Sequence, residues 1–195
     1  MSAIDRIRAE RVVAILRRVA DVDARVEALV EAGIGVVEIT LDAPDALAAI
    51  ERTRARGDVA VLAGTVRRPE QVDAAAAAGA EAIVSPGFSP EVVLRARERG
   101  LPAIPGALTP TEIEAAWSAG AALVKLFPAG LGGPRYLRDV LAPLADVPLL
   151  VTGGVDADNA RTFLDAGAVA VGVGSALDDP AEARRLVAAV RAPGV

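Results

Sequence analysis

The sequence predicts a single domain over residues 1–195 with the fold of a (β/α)8 TIM barrel, and two observations lead to this prediction. A helical stretch, a glycine and a short apolar run follow one another repeatedly along the chain. The apolar runs are continuous rather than alternating, which is typical of parallel strands that are covered by helices. Eight such units in one chain favour a closed barrel. An open, doubly wound sheet is the alternative that the same pattern allows.

The eight predicted strands are the apolar runs taken in chain order. They cover residues 12–16, 36–39, 59–62, 82–84, 102–104, 123–126, 149–151 and 169–171. Six of the runs follow a glycine that fits the position just after a helix, where a positive φ is favourable only for glycine. These glycines are Gly33, Gly57, Gly79, Gly100, Gly120 and Gly167.

The predicted helix starts agree with this phasing. Thr109, Pro110 and Glu112 combine an N-cap, a proline in the first turn and a capping-box glutamate. Ser89 and Asp179 each precede a proline in the same way. Eight helical segments are therefore expected to alternate with the eight strands.

The composition limits the chemistry that the chain can perform. It has no cysteine, which excludes a thiolate zinc site, and no histidine, which excludes an aldolase or hydrolase built on histidine metal ligands. The net charge of −5 and the scattered arginines do not favour nucleic-acid binding. The N-terminus lacks the apolar core of a signal peptide, and no segment reaches the ~20 apolar residues of a membrane helix. We expect a cytoplasmic protein that binds neither nucleic acids nor membranes.

Lys125 is the single lysine of the chain, against 20 arginines, and it lies inside the predicted sixth strand. A lysine removed from water can lose its proton and act as a nucleophile, whereas an arginine stays charged. The alternative is an ion-paired or snorkelling side chain with no catalytic role. The position of Lys125 favours a Schiff-base lysine.

Glu38 is a second charged residue inside an apolar run, in the predicted second strand. Strands two and six are both even-numbered, and alternate strands fill common layers inside a barrel, so Glu38 and Lys125 are expected to meet. They could form a structural ion pair, or a nucleophile with its proton shuttle. Two ionisable side chains in the middle of strands favour catalysis.

Polar residues and glycines follow the strands at the end of the barrel where active sites lie. Arg17 ends the first strand and suits a carboxylate ligand, although a surface role beside Arg18 fits nearly as well. Glycine clusters follow strands seven and eight, where backbone N–H groups commonly bind phosphate, with ordinary tight turns as the alternative. The residues expected there are Thr152, Gly153, Gly154, Gly174 and Ser175.

These residues belong to motifs that resemble the 2-keto-3-deoxy-6-phosphogluconate (KDPG) and 4-hydroxy-2-oxoglutarate aldolase family. The motifs are VAILR at 13–17, VEITL at 37–41, GTV at 64–66, SPG at 85–87, VKLFP at 124–128, TGG at 152–154 and VGVGS at 171–175. The resemblance implies a Schiff-base aldolase, a carbon–carbon lyase that needs no metal or other cofactor. It also implies a homotrimer of small barrels.

Matching positions imply a role for each site residue. Lys125 would form the Schiff base and Glu38 would act as acid and base. The pyruvyl portion of the substrate would be surrounded by Arg17, Thr65, Pro86 and Phe127, and the phosphate would be held by Gly153, Gly154 and Ser175. The implied reaction cleaves KDPG, a phosphorylated keto acid, to pyruvate and glyceraldehyde 3-phosphate. The unphosphorylated 4-hydroxy-2-oxoglutarate is a second implied substrate.

Asp42 departs from the family pattern, because many members have at this position an arginine that helps to bind the substrate carboxylate. Related phosphogalactonate aldolases accept a small polar residue there, as do some members of the main group. The exact substrate therefore stays open, with 2-dehydro-3-deoxy-6-phosphogalactonate as an alternative. Two other classes of function stay open at this point. One is a phosphosugar isomerase or epimerase, and the other is a barrel of this family used as an assembly scaffold, natural or engineered.

Overall fold

Nine short strands form one parallel sheet within residues 1–193, which the computed structural model describes. They are β1 (Val12–Leu16), β2 (Val36–Thr40), β3 (Ala60–Gly64), β4 (Ala82–Val84), β5 (Ala103–Ile104), β6 (Gly106–Ala107), β7 (Val124–Leu126), β8 (Leu149–Thr152) and β9 (Ala170–Val173). Their pairing order is β5-β4-β3-β2-β1-β9-β8-β7-β6. The two ends of this order, β5 and β6, are consecutive in the chain, so the sheet closes on itself. The predicted (β/α)8 barrel is confirmed, and the open doubly wound sheet is wrong.

The fifth strand of the barrel is broken into β5 and β6 at Pro105, which the apolar pattern did not predict. β5 pairs with β4 and β6 pairs with β7, so each half joins a different neighbour. The carbonyl of Pro105 still accepts a hydrogen bond from Lys125 N at 2.8 Å, although proline has no N–H to donate in return. The closing seam of the barrel therefore runs beside the strand that carries Lys125.

Helices surround the barrel and connect its strands. They are α1 (Ala3–Glu10), α2 (Val22–Ala32), α3 (Ala46–Arg56), α4 (Pro69–Ala77), α5 (Pro90–Glu98), α6 (Pro110–Ser118), α7 (Gly133–Leu141), α8 (Ala160–Asp165) and α9 (Pro180–Arg191), with 3₁₀ turns η1 (Ala129–Leu131) and η2 (Ser175–Leu177). All six glycines predicted to follow helices have positive φ angles. The predicted capping box of α6 is present, since Glu112 Oε2 accepts from Thr109 N at 2.8 Å.

Helix α1 precedes the first strand and is additional to the eight predicted helical segments. It begins at a capping box in which the hydroxyl of Ser2 accepts from Asp5 N at 3.1 Å. Ala3 and Ile7 on its buried face pack against apolar side chains at the starts of the strands, such as Val36 of β2. Helix α1 thus closes the N-terminal end of the barrel, and ligands must enter from the opposite end.

Apolar side chains form two layers, one inside the barrel and one between the sheet and the helices. No helix within residues 1–193 is both long enough and apolar enough to cross a membrane. The predicted domain end at residue 195 lies outside the described residues.

Candidate active site

A cavity of about 580 Å³ lies at the end of the barrel where the strands finish. The barrel floor is filled by apolar side chains, whereas this end carries polar groups and glycines. Ten residues predicted from the sequence line the cavity: Arg17, Thr65, Pro86, Lys125, Phe127, Thr152, Gly153, Gly154, Gly174 and Ser175. The structure thus brings the predicted substrate-binding residues together in one place. Glu38, the remaining predicted residue, lies beneath the cavity surface and contacts Lys125.

Lys125 and Glu38 form a buried pair inside the barrel. Lys125 Nζ lies 3.5 Å from Glu38 Oε1, and the two side chains are 7% and 1% exposed. The second carboxylate oxygen, Oε2, is buried and has no hydrogen-bond partner among the described residues. An ion pair so poorly hydrated adds little net stability, because removing both charges from water offsets their attraction. A carboxylate oxygen without a partner is a candidate proton acceptor.

Gly64 at the end of β3 makes room for the carboxylate of Glu38. The two strands are neighbours, and Glu38 pairs with Leu62 two residues before Gly64. A Cβ atom on Gly64 would lie 2.2 Å from Glu38 Oε1, which is far inside contact distance. The glycine is therefore required for the position of Glu38 rather than for a turn.

Phe127 and Pro86 form the apolar wall beside the lysine. The Phe127 ring centroid lies 5.5 Å from Lys125 Nζ, within the range of a cation–π contact. Pro86 lies close against the broken strand. A Cβ atom on Gly106 would be only 2.3 Å from the Pro86 carbonyl oxygen, so the two backbones can approach this closely only because residue 106 is glycine. The amine therefore lies beside an aromatic face, and Pro86 lines the same cavity.

Arg17 lines the cavity, and Arg18 beside it faces Asp42 instead. Arg17 Nη2 donates to Thr65 Oγ1 at 3.3 Å, and Arg18 Nε lies 3.3 Å from Asp42 Oδ2. Thr65 has a φ of +59°, which is rare for a β-branched residue and costs energy. Such strain is found where the surroundings hold a residue in place, and it commonly marks a functional site.

Asp42 stays close to the two arginines although it does not line the cavity. The Thr40 hydroxyl lowers the pKa of Asp42 most, and the positive charges of Arg17 and Arg18 lower it further, against the opposing effect of burial. Asp42 is therefore a carboxylate at neutral pH. Its charge partly offsets the positive charge that the two arginines bring to this side of the mouth.

The glycine loops after β8 and β9 form the other side of the cavity. Gly153 and Gly154 both have positive φ angles, of 90° and 77°. Thr152, which precedes them, has a buried hydroxyl with no partner among the described residues, and Gly172 on the next strand gives it room. Ser175 begins the 3₁₀ turn η2 and is exposed to the cavity.

Three charged residues line this side of the cavity and were not predicted from the sequence: Arg25, Asp156 and Asp178. Arg25 belongs to α2 and donates through Nη1 to Leu177 O at 2.7 Å and to Asp178 Oδ1 at 3.1 Å. The two residues that it joins are 152 and 153 positions away, so no local motif could have indicated the contact. Arg25 ties the turn at η2 to the wall of the barrel.

Comparison with known proteins identifies the family to which the chain belongs. The family model described as aldolase, KDPG and KHG aldolase, matches residues 3–187. The 2-dehydro-3-deoxy-6-phosphogalactonate aldolase of Escherichia coli (strain K12) is 40% identical over 170 residues, which are 85% of this chain and 83% of that protein. The 2-dehydro-3-deoxy-phosphogluconate aldolase of Treponema pallidum (strain Nichols) is 41% identical over 166 residues, covering 83% and 78% of the two chains.

Solved structures share the fold. A native KDPGal structure superposes with a TM-score of 0.87 at 36% identity, covering 92% of this chain and 94% of that one. The KDPG aldolase of Legionella pneumophila, solved with pyruvate captured as a covalent carbinolamine intermediate, gives a TM-score of 0.83 at 28% identity, with 97% and 96% covered. A carbinolamine is the adduct that an amine forms with a ketone before water is lost. The chain belongs to the KDPG and KHG aldolase family, and it is a carbon–carbon lyase of the Schiff-base type.

Proposed function

We propose that the protein cleaves KDPG to pyruvate and glyceraldehyde 3-phosphate, with Lys125 as the Schiff-base lysine and Glu38 as the acid and base. The observation that carries this proposal is the buried pair of Lys125 Nζ and Glu38 Oε1, 3.5 Å apart at the base of the cavity. A nucleophilic amine needs a neighbouring group that can move protons, and Glu38 has a carboxylate oxygen free for that task.

The substrate is oriented by groups at both sides of the cavity. Arg17 binds the carboxylate with its guanidinium, and Thr65 holds that guanidinium in place. Pro86 and Phe127 contact the pyruvyl portion. At the far side, backbone N–H groups of Gly153, Gly154 and Gly174, together with the hydroxyl of Ser175, bind the phosphate.

The reaction begins when the ammonium of Lys125 passes a proton to Glu38 and the resulting neutral amine attacks the C2 carbonyl of the substrate to form a carbinolamine. Glu38 returns this proton to the departing oxygen. Loss of water gives an iminium ion, which can accept an electron pair. Glu38, directly or through a water molecule, takes the proton of the C4 hydroxyl. The C3–C4 bond then breaks, its electron pair moves into the iminium as an enamine, and the aldehyde product forms at C4.

The enamine is protonated at C3, and hydrolysis of the resulting imine releases pyruvate and restores the amine of Lys125. The same steps apply to 4-hydroxy-2-oxoglutarate, because that substrate also has a C2 carbonyl and a C4 hydroxyl. Its lack of a phosphate leaves the glycine loops without a ligand group to bind.

Reductive trapping tests the proposal. Incubation with pyruvate and borohydride should add to the protein the mass of pyruvate less one water plus two hydrogens, located on Lys125. Lys125→Arg should abolish both the adduct and the cleavage of KDPG while the fold is retained, because a guanidinium offers no neutral amine. Substantial cleavage by this folded variant would contradict the mechanism.

A second candidate substrate is the C4 epimer, 2-dehydro-3-deoxy-6-phosphogalactonate. Asp42 favours it, since a carboxylate stands where the KDPG enzymes commonly carry an arginine, and it faces Arg18. The E. coli relative that is 40% identical carries the galactonate name. Comparison of kcat/KM for the two epimers decides between them.

We also propose that residues 1–195 act as one domain and that the protein is a homotrimer. We propose further that it works in the cytoplasm, in the Entner–Doudoroff sequence of reactions. The family resemblance supports the trimer, and the match to one family model over residues 3–187 supports the single domain. Light scattering should give three times the 19.8 kDa mass of one chain. A mass of one chain in solution would contradict the trimer without affecting the proposed chemistry.

A further inference from the structure

Both carbonyl groups of the Gly153-Gly154 loop are held by specific donors. The carbonyl of Gly153 accepts from Gly130 N, in the η1 turn, at 2.8 Å. The carbonyl of Gly154 accepts from the side-chain amide of Asn159 at 2.9 Å, through Nδ2. One anchor is therefore a backbone group and the other is a side chain, which can be changed without altering the course of the chain.

The direction of these carbonyls fixes the direction of the neighbouring N–H groups. In a planar trans peptide the C=O of one residue and the N–H of the next point to opposite sides. Because the carbonyl of Gly153 points towards Gly130, the N–H of Gly154 points away from η1. Because the carbonyl of Gly154 points towards Asn159, the N–H of Val155 points away from α8. Neither N–H has a hydrogen-bond acceptor among residues 1–193, and both residues line the cavity.

Asn159 is itself held in one orientation. Its Oδ1 accepts from Asp156 N at 3.1 Å while its Nδ2 donates to Gly154 O. Only this assignment of the amide satisfies both partners, because one contact needs an acceptor and the other needs a donor. The carboxylate of Asp156 in turn accepts from Asn159 N at 3.1 Å, so the turn before α8 is braced on both sides.

We propose that Asn159 is a positioning residue for anion binding by the active site. It holds the Gly154–Val155 peptide so that the N–H of Val155 faces the cavity beside that of Gly154. Successive backbone N–H groups in a turn can form a site for a phosphate oxygen. This inference rests on the proposed function, since it assigns the phosphate of the substrate to this loop.

Asn159→Asp tests the proposal, because aspartate has the same shape and keeps an acceptor for Asp156 N. It loses the amide donor and places a carboxylate oxygen against the Gly154 carbonyl, which favours rotation of that peptide. The kcat/KM for KDPG should fall about five- to twenty-fold, mainly through KM, as expected for the loss of one hydrogen bond and its replacement by repulsion. The kcat/KM for 4-hydroxy-2-oxoglutarate should change about two-fold or less. Inorganic phosphate should also become a weaker competitive inhibitor of that second reaction.

Thr162→Ala is the matched control. The hydroxyl of Thr162 donates to Asn159 O at 2.7 Å, so its loss disturbs the same helix start without touching the amide of Asn159. This variant should keep the ratio of kcat/KM for KDPG to kcat/KM for 4-hydroxy-2-oxoglutarate that the unchanged protein shows. It should also keep the inhibition by phosphate. If Asn159→Asp does not fold, Asn159→Ser decides by the same ratio, since its hydroxyl is too short to reach Gly154.

The outcomes separate this inference from the proposed function. If the unchanged protein shows no preference for KDPG and no inhibition by phosphate, the phosphate part of the proposed function is wrong. If it shows both and Asn159→Asp keeps both, only the role of Asn159 is wrong. An equal loss on the two substrates would assign Asn159 to the stability of the barrel and overturn the proposal.

Discussion

Lys125 and Glu38 occupy interior positions that are otherwise filled by apolar side chains. Every strand contributes inward-facing residues at alternate positions, so Val36 below Glu38 and Leu123 below Lys125 belong to the apolar interior. A buried charged pair is costly in such surroundings. A pair that is costly to bury is expected to have a function, which agrees with the catalytic roles proposed for these two residues.

Glu38→Gln should slow turnover of KDPG on the order of 10²–10⁴-fold, because glutamine cannot take the proton of the C4 hydroxyl. Imine formation should survive better, since it depends chiefly on the amine of Lys125. Turnover is measured by pyruvate release and imine formation by the yield of the borohydride adduct. An equal loss of both would instead assign Glu38 to the placement of Lys125.

Gly64→Ala should also lower turnover, because the new Cβ would lie 2.2 Å from Glu38 Oε1 and must displace the carboxylate. Gly87→Ala is the matched control, since a Cβ at Gly87 meets no atom within 4 Å. The ratio of kcat for the two variants, with their melting temperatures, measures the effect. Equal activity of the two variants would mean that the position of Glu38 has little influence on the reaction.

At the scale of elements, the loop after β8 needs glycine for two reasons, a positive φ angle and close packing against η1. Gly154 has a positive φ and lies against Gly130, whose Cα would be 3.1 Å from an added Cβ. The loop therefore packs closely on η1, which directly follows the strand of Lys125. The proposed phosphate site and the lysine are connected through a single short segment of the chain.

Gly154→Val should reduce kcat/KM for a phosphorylated substrate much more than for 4-hydroxy-2-oxoglutarate. A branched side chain is strained at positive φ, and its bulk blocks the approach of the phosphate to the loop. Kinetics on both substrates check the expectation. A proportional loss on both would show that the loop supports the barrel rather than recognising phosphate.

At the scale of the whole molecule, the surface carries several ion pairs between arginines and carboxylates. Arg95 lowers the pKa of Asp73 most, followed by Arg99. Backbone N–H groups of Thr109 and Leu108 lower the pKa of Glu112, and Arg161 lowers that of Asp165. Each of these carboxylates binds a proton less readily in the folded state than in the unfolded chain.

The free energy of unfolding should therefore fall in acid. A carboxylate with a lowered folded pKa stabilises the fold above its unfolded pKa, about 4, and this contribution disappears as the pH falls through the folded value. Urea unfolding at pH 7 and at pH 3 measures the difference, with lower stability expected at pH 3. Asp73→Asn should show a smaller difference than the unchanged protein. A free energy that does not change with pH would contradict the expectation.

The sequence predicted the barrel well because its elements are marked locally, by apolar runs, glycines after helices and capping residues such as Thr109. It also predicted the meeting of Glu38 and Lys125, since strand parity fixes their layer.

The break at Pro105 was missed because a two-residue strand on each side leaves almost no periodic pattern. Helix α1 was missed although Ser2 and Asp5 form its capping box. Arg25 and Asn159 could not be found, because their contacts depend on how distant loops pack.

The chain has 20 arginines and a single lysine, which lines the candidate active site, so a lysine-specific protease can cut it at a single place. Once denatured, the chain would yield fragments 1–125 and 126–195. A substrate fixed to Nζ by reduction prevents that cut. The uncut fraction on a gel then equals the fraction of active sites that carried substrate when the reductant was added. The occupancy of the site by substrate during turnover can therefore be measured from the gel bands without a label, because the chain has no second lysine that could be modified or cut.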